Sequence, residues 1–284
     1  MLVKRFGHPP AGLVPALNWW VLNVALTALV LQLVPRLHAN VHLWFLPAAM
    51  WLVFLGAWVF CALAGRALGW TRERVGALTL VAGLSNSAFT GYPLVEALRG
   101  REALGFAAVA DQLGSFLAMV LGGITLASWY SGNQPQLRLL VKRVVLFPPF
   151  LAMLAGLTAG ALGDWPQELS PVLDRLASTL APLAVFSIGL QFTLQLTAAE
   201  AGATAVALTW KLLLGPLLVL AGGRVAGVGA PVLAVAVLQA GMSPMVSAAI
   251  IADQYGLDPR VANATLGVGI LLSLLTVPLL NLLV

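Results

Sequence analysis

Of the 284 residues, 60% are hydrophobic and only 9% are charged, with 15 basic and 10 acidic side chains and a net charge of +5. Soluble domains carry about 25% charged residues, so a water-soluble enzyme is excluded, as are disorder and collagen-like repeats. The basic residues form no stripe with interleaved aromatics, which argues against a nucleic-acid partner, and the single cysteine, Cys61, excludes a disulfide scaffold.

A helix crossing a hydrocarbon core of ~30 Å needs about 20 mostly apolar residues. Nine stretches qualify, in chain order 13–34, 43–65, 75–98, 103–126, 145–163, 171–194, 203–222, 230–254 and 260–283. Runs such as Leu271-Leu272-Ser273-Leu274-Leu275 are apolar all round, which is the pattern of helices rather than of barrel strands. The first stretch follows Lys4 and Arg5, but its length, its Trp19-Trp20 pair and the lack of a small-x-small cleavage site mark a retained helix. Lys4, Arg5, Arg66, Arg72, Arg74, Arg138, Lys142, Arg143 and Arg260 fall on one side of the membrane, against Arg36, Arg99, Arg101, Arg175 and Arg224 on the other. That bias predicts an integral inner-membrane protein with a cytoplasmic N-terminus and an outside C-terminus. Trp44, Trp70, Trp129 and Trp165 near span ends read as interfacial anchors. A central cytoplasmic loop at 131–144 separates a first half, about 13–129, from a second, about 145–284, and 1–284 reads as one transmembrane domain.

The third and eighth stretches share a pattern. Gly83-Leu84-Ser85-Asn86-Ser87-Ala88-Phe89-Thr90-Gly91-Tyr92-Pro93 interrupts one, with Glu96 and Gly100 after it; Gln239-Ala240-Gly241-Met242-Ser243-Pro244 interrupts the other, followed by Asp253 and Gly256. A mid-helix proline removes a backbone hydrogen bond, and the freed groups need a partner in hydrocarbon. Five positions separate the two stretches, so they run in opposite directions. Paired breaks in corresponding halves point to the midplane site of a secondary transporter, where half-helix N-termini favour a carboxylate.

At these residues the chain resembles the auxin efflux carrier family of membrane transport proteins. Asn86 to Pro93 resembles its Asn-x-Gly-Phe-x-Gly-x-Pro signature, with Ala88 in place of the glycine, and Pro244, Ala248, Ala252, Tyr255 and Gly256 resemble its second broken helix. Pro148-Pro149 with Gly156, Pro182-Leu183 with Phe186 and Gly189, and Lys211 with Pro216 follow in the family's order. The resemblance implies the fold shared with bile-acid/sodium symporters: two inverted repeats, a panel and a core domain, and two crossing broken helices. The usual first helix has no counterpart here, so the expected fold is all-α with about nine crossings in a 4+5 arrangement, with Pro93 and Pro244 near the cross. It also implies elevator-type movement and admits a homodimer through the panel.

The residues themselves supply a candidate substrate site: Asn86, Ser87, Phe89, Thr90, Gly91, Pro93, Gly241, Met242, Ser243 and Pro244. Asn86 offers donors and an acceptor beside the break, for a substrate carboxylate, a cation or a helix cap. Gly91 and Gly241 allow close backbone approach, and Phe89 and Met242 supply an apolar wall. Asp111, ~12 Å into its span, Gln239 and Lys211 are the candidates for ion or proton coupling. Lys211 has three readings: attraction of an anion, pairing with Asp111, or snorkelling to the interface. Glu96 and Asp253 are read as lining an entrance. His8, His38 and His42 show no metal-ligand spacing, and no intramembrane nucleophile–base or paired-aspartate constellation indicates an enzyme. The expectation is a secondary transporter of a small organic anion, a carboxylate such as a dicarboxylate or an auxin-like acid. It needs no cofactor beyond Na+ or H+ as coupling ion. The alternatives are a sodium-dependent bile-acid-like symporter and a non-transporting receptor of the same fold.

Overall fold

A computed structural model describes residues 10, 12–37, 42–134, 137–192 and 196–284. Lys4, Arg5, His8 and His38 lie outside the described residues. Among the described residues the chain is helical, with no strand and one isolated bridge. Six helices among the described residues are long and apolar enough to cross a membrane: α1 (Leu13–Arg36), α2 (Phe45–Leu68), α5 (Arg101–Ser131), α8 (Ser170–Gln191), α9 (Ala198–Val225) and α12 (Pro259–Asn281). A seventh is a bent pair, α6 (Leu137–Val145) and α7 (Pro148–Leu162), set at 58°.

Two of the predicted stretches, 75–98 and 230–254, are not continuous helices. The first is α3 (Arg72–Gly83), then a π turn (Ser87–Gly91) leading into α4 (Tyr92–Arg99); the second is α10 (Ala230–Ala240) and α11 (Val246–Gln254). The stretch at 145–163 starts only at Pro148, because a residue before proline is pushed to extended backbone, and Phe147 has ψ 115°. The predicted loop at 131–144 also needs correction, since its second part is the helix α6. There Leu140 is buried while Arg138, Lys142 and Arg143 are exposed, an amphipathic pattern that a charge count alone reads as loop.

The two leading half-helices explain the architecture. Every residue of Val75–Gly83 in α3 and of Val232–Ala240 in α10 is buried, as an all-round apolar sequence requires. Helix α3 packs against α2, α5, α9, α11 and α12; α10 packs against α2, α9, α12 and the start of α5. The remaining group is α1, α7 and α8, in which α7 and α8 each pack on α1. Leu55, Leu63, Leu154 and Leu275 point outward, as lipid-facing side chains do. The turn into α3 is capped by Thr71, whose hydroxyl accepts from Arg74 N–H at 3.3 Å. The turn into α12 is capped by Asp258, which accepts from Val261 N–H at 3.3 Å and pairs with Arg74 at 2.8 Å.

Candidate substrate site at the helix crossing

The two breaks meet. Asn86 N–H donates to Ser243 O at 2.9 Å and Met245 N–H to Leu84 O at 3.0 Å, with Ser85 and Pro244 directly opposite in an antiparallel bridge. Both ladder bonds flank the Ser85–Pro244 pair, so the proline stands where no N–H is called for. Pro244 is therefore at the cross, as its sequence context predicts. Pro93 is not. It occupies the second position of α4, after the π turn, and the chain has already unwound at 84–86. Leu84, Ser85 and Asn86 carry the break; Pro93 lies inside the second half-helix, directly after the π turn in which Gly91 N–H and Tyr92 N–H donate to Asn86 O and Ser87 O, an irregularity that accommodates its missing N–H.

Asn86 is buried and starts the second half-helix. Its Oδ1 accepts from Phe89 N–H at 3.3 Å, while its Nδ2 has no hydrogen-bond partner. Thr90 Oγ1 donates to Asn86 O at 2.7 Å, which uses its only hydrogen, so Ser243 is the donor in the 3.2 Å contact between Ser243 Oγ and Thr90 Oγ1. Gln239 is fully buried with neither amide atom partnered. A Cβ on Gly91 would lie 2.5 Å from Gln239 Oε1, so glycine is what lets the two broken spans approach here. Gly241 is likewise tight, 2.5 Å from Leu280 Cδ1 for a Cβ. Met242 is fully buried within the apolar core.

Asp111 lies on a π turn of α5 (Ala110–Ser115), a geometry frequent at functional positions. It accepts three hydrogen bonds: from Ser87 Oγ at 2.5 Å, Gln112 Nε2 at 2.8 Å and Tyr92 OH at 3.2 Å. Gln112 Oε1 has no partner. Tyr92 and Gln112 are the members that residue type and spacing do not single out; the signal available was an aromatic hydroxyl one position before Pro93, and an amide beside the intramembrane acid. Lys211 neither pairs with Asp111 nor snorkels. It is 0% exposed, and its Nζ donates to Ser85 Oγ at 2.5 Å and Ala240 O at 3.1 Å. Glu96 is half-buried and Asp253 exposed.

A cavity of about 120 Å³ adjoins the crossing. Its walls are Asn86, Ala88 and Phe89 from the second half of one broken span and Met245, Val246 and Ser247 from the second half of the other. Leu22 and Leu26 of α1 close it opposite, with Asp111, Phe116 and Met119 of α5 and Phe147 at the sides. Two helix N-termini thus bound one cavity, each with a partial positive charge and first-turn amides lacking intrahelical acceptors. Of the thirteen residues singled out in the sequence, Asn86, Phe89 and Asp111 line the cavity, while Ser87, Thr90, Gly91, Gln239, Ser243, Pro244 and Lys211 support the crossing behind it. A larger cavity of about 820 Å³ lies toward the end of α1, beside Arg36 and Asp164, which already pair at 3.1 Å.

Relatives agree with a transporter. The chain is 29% identical to an uncharacterised transporter of Methanothermobacter thermautotrophicus over 78% of its own length and 76% of the relative's. It is 28% identical to an uncharacterised transporter of Methanocaldococcus jannaschii, over 52% of this chain and 49% of the other. It is also 29% identical to a proposed malonate transporter of Rhizobium meliloti, over 49% and 44%. The family model described as membrane transport protein matches residues 13–281, so the chain belongs to that family, the auxin efflux carriers.

Proposed function

We propose that this protein is a secondary transporter of a small carboxylate, held between the two half-helix N-termini at the crossing. The observation that carries this reading is the buried, unpartnered Nδ2 of Asn86, a residue that lines a cavity bounded by two helix N-termini. A buried donor without a partner costs about 1–3 kcal/mol, a cost that a carboxylate oxygen would remove. The cavity, about 120 Å³, is well below the roughly 300–1,000 Å³ typical of drug-sized ligands, which favours a short acid over a steroid. Malonate, ascribed to the Rhizobium relative, is of the right class.

Asp111 lines the same cavity, so an entering anion meets a second carboxylate. A proton on Asp111 removes that repulsion, and rotation of the Gln112 amide would present Oε1 as its acceptor. This arrangement favours proton coupling. In the same reading the broken spans count as crossings. That makes nine, in inverted halves at about 13–129 and 145–284, with the N-terminus cytoplasmic and the C-terminus outside. Helices α1, α7 and α8 form the panel, against which the remaining helices move as an elevator, and two copies associate through it.

A thermal-stability screen of the purified protein against small carboxylates, with and without sodium, tests the site. A ligand at 100 times its Kd adds about 2.7 kcal/mol. Stabilisation by a short dicarboxylate is expected; stabilisation by none of the acids would overturn the carboxylate reading.

A further inference from the structure

The carboxylate reading makes no use of Lys211, although this side chain is the most completely enclosed charge in the protein's crossing region. It is 0% exposed. Its ammonium reaches Ser85 Oγ at 2.5 Å and Ala240 O at 3.1 Å. Ala240 is the last residue of α10, and Ser85 stands two positions beyond the last residue of α3. The C-terminal carbonyl of α10, at a helix end worth about −0.5 charge, and a hydroxyl just past the end of α3 therefore converge on a single ammonium. Among the described residues no carboxylate lies within ion-pair distance of it; the three ion pairs are Arg36–Asp164, Arg74–Asp258 and Arg101–Asp174.

The placement has a local cause. Lys211 lies on the π turn Trp210–Leu214, which ends two residues before Pro216, whose missing N–H disrupts the regular ladder of α9. The turn is anchored by Trp210, whose Nε1 donates to Val53 O at 3.1 Å. Its ring fills the space above Gly56, where a Cβ would come within 2.4 Å of it. Lys211 is thus aimed at the crossing by a rigid support.

A hydroxyl and a helix-terminal carbonyl, converging between unwound spans, make an all-oxygen site. Unwound carbonyls and half-helix C-termini are the groups with which broken-helix carriers hold alkali ions. We propose that Lys211 is the resident cation of this crossing. Its ammonium occupies an alkali-ion position permanently, so the chain binds no sodium there, and a short neutral side chain at 211 opens a sodium site.

The test needs no transport substrate, so its failure and that of the carboxylate reading are distinguishable. Melting temperatures of the purified wild-type protein and of Lys211→Ser are measured in sodium chloride and in choline chloride at equal ionic strength. The wild type is expected to melt at the same temperature in both. The variant is expected to gain about 3–6 °C in sodium at tenfold the dissociation constant. Sodium-specific stabilisation of the wild type overturns the proposal without any variant. A folded Lys211→Ser that is indifferent to sodium also overturns it, and leaves Lys211 as a structural pin. Should Lys211→Ser not fold, Lys211→Thr, equally short and neutral, carries the same expectation and the same refutation.

Discussion

Asn86 performs two tasks that substitution can separate. Its Oδ1 caps the second half-helix through Phe89 N–H, and its Nδ2 is buried without a partner in a residue that lines the cavity. Asn86→Ala removes both. Loss of the cap costs about 0.5–2 kcal/mol of stability, and about 1 kcal/mol lowers the melting temperature of a chain this size by roughly 2–4 °C. Loss of a hydrogen bond to a charged ligand costs about 1.5–3 kcal/mol of binding. At 1.4 kcal/mol per decade that is about a 10–150-fold weaker Kd. Asn86→Ser keeps a capping oxygen of similar rank and deletes the amide donor. Thermal unfolding and equilibrium dialysis of radiolabelled malonate should therefore diverge: alanine lowers both stability and affinity, serine lowers affinity alone. Wild-type affinity in a stable Asn86→Ser protein would refute the assignment and reduce Asn86 to a helix cap.

Other substitutions probe the surrounding parts. Gly91→Ala puts a methyl 2.5 Å from Gln239 Oε1, an overpacking that should cost about 1–3 kcal/mol and be relieved by adding Gln239→Ala, as read from melting temperatures of the single and double variants. Asp111→Asn should keep malonate binding but abolish accumulation driven by an imposed proton gradient; gradient-driven uptake at the wild-type level would remove Asp111 from coupling. Asp258→Ala loses a cap and the Arg74 pair, far from the cavity, and should lower stability by about 1–2 kcal/mol with uptake per folded molecule unchanged.

Apolar length was enough to mark the spans, since 13–34, 43–65, 103–126, 171–194, 203–222 and 260–283 each correspond to a continuous helix within a few residues. Glycine, serine, asparagine and proline also marked where two helices break. What spacing could not supply is pairing across distance. The bond from Lys211 to Ser85 joins residues 126 apart, and nothing in a linear pattern distinguishes that partner from Asp111. Pro93 misleads for a related reason: proline signals local helix irregularity, but the actual break is decided by the ladder that Leu84 and Asn86 form with residues 243 and 245. The π turns at Asp111 and Lys211 are equally hidden, because an extra residue in a helical turn leaves hydrophobic periodicity almost unchanged over so short a stretch. Tyr92 and Gln112 became visible only through the carboxylate they both face.

The most direct test of the account is flux. The purified protein is reconstituted into liposomes, and labelled malonate uptake is followed with and without an inward proton gradient, beside protein-free vesicles. The account predicts uptake above the protein-free level, accelerated by the gradient and indifferent to replacing sodium with choline. Binding of the acid with no uptake under any gradient would contradict it and identify a receptor built on a carrier's fold.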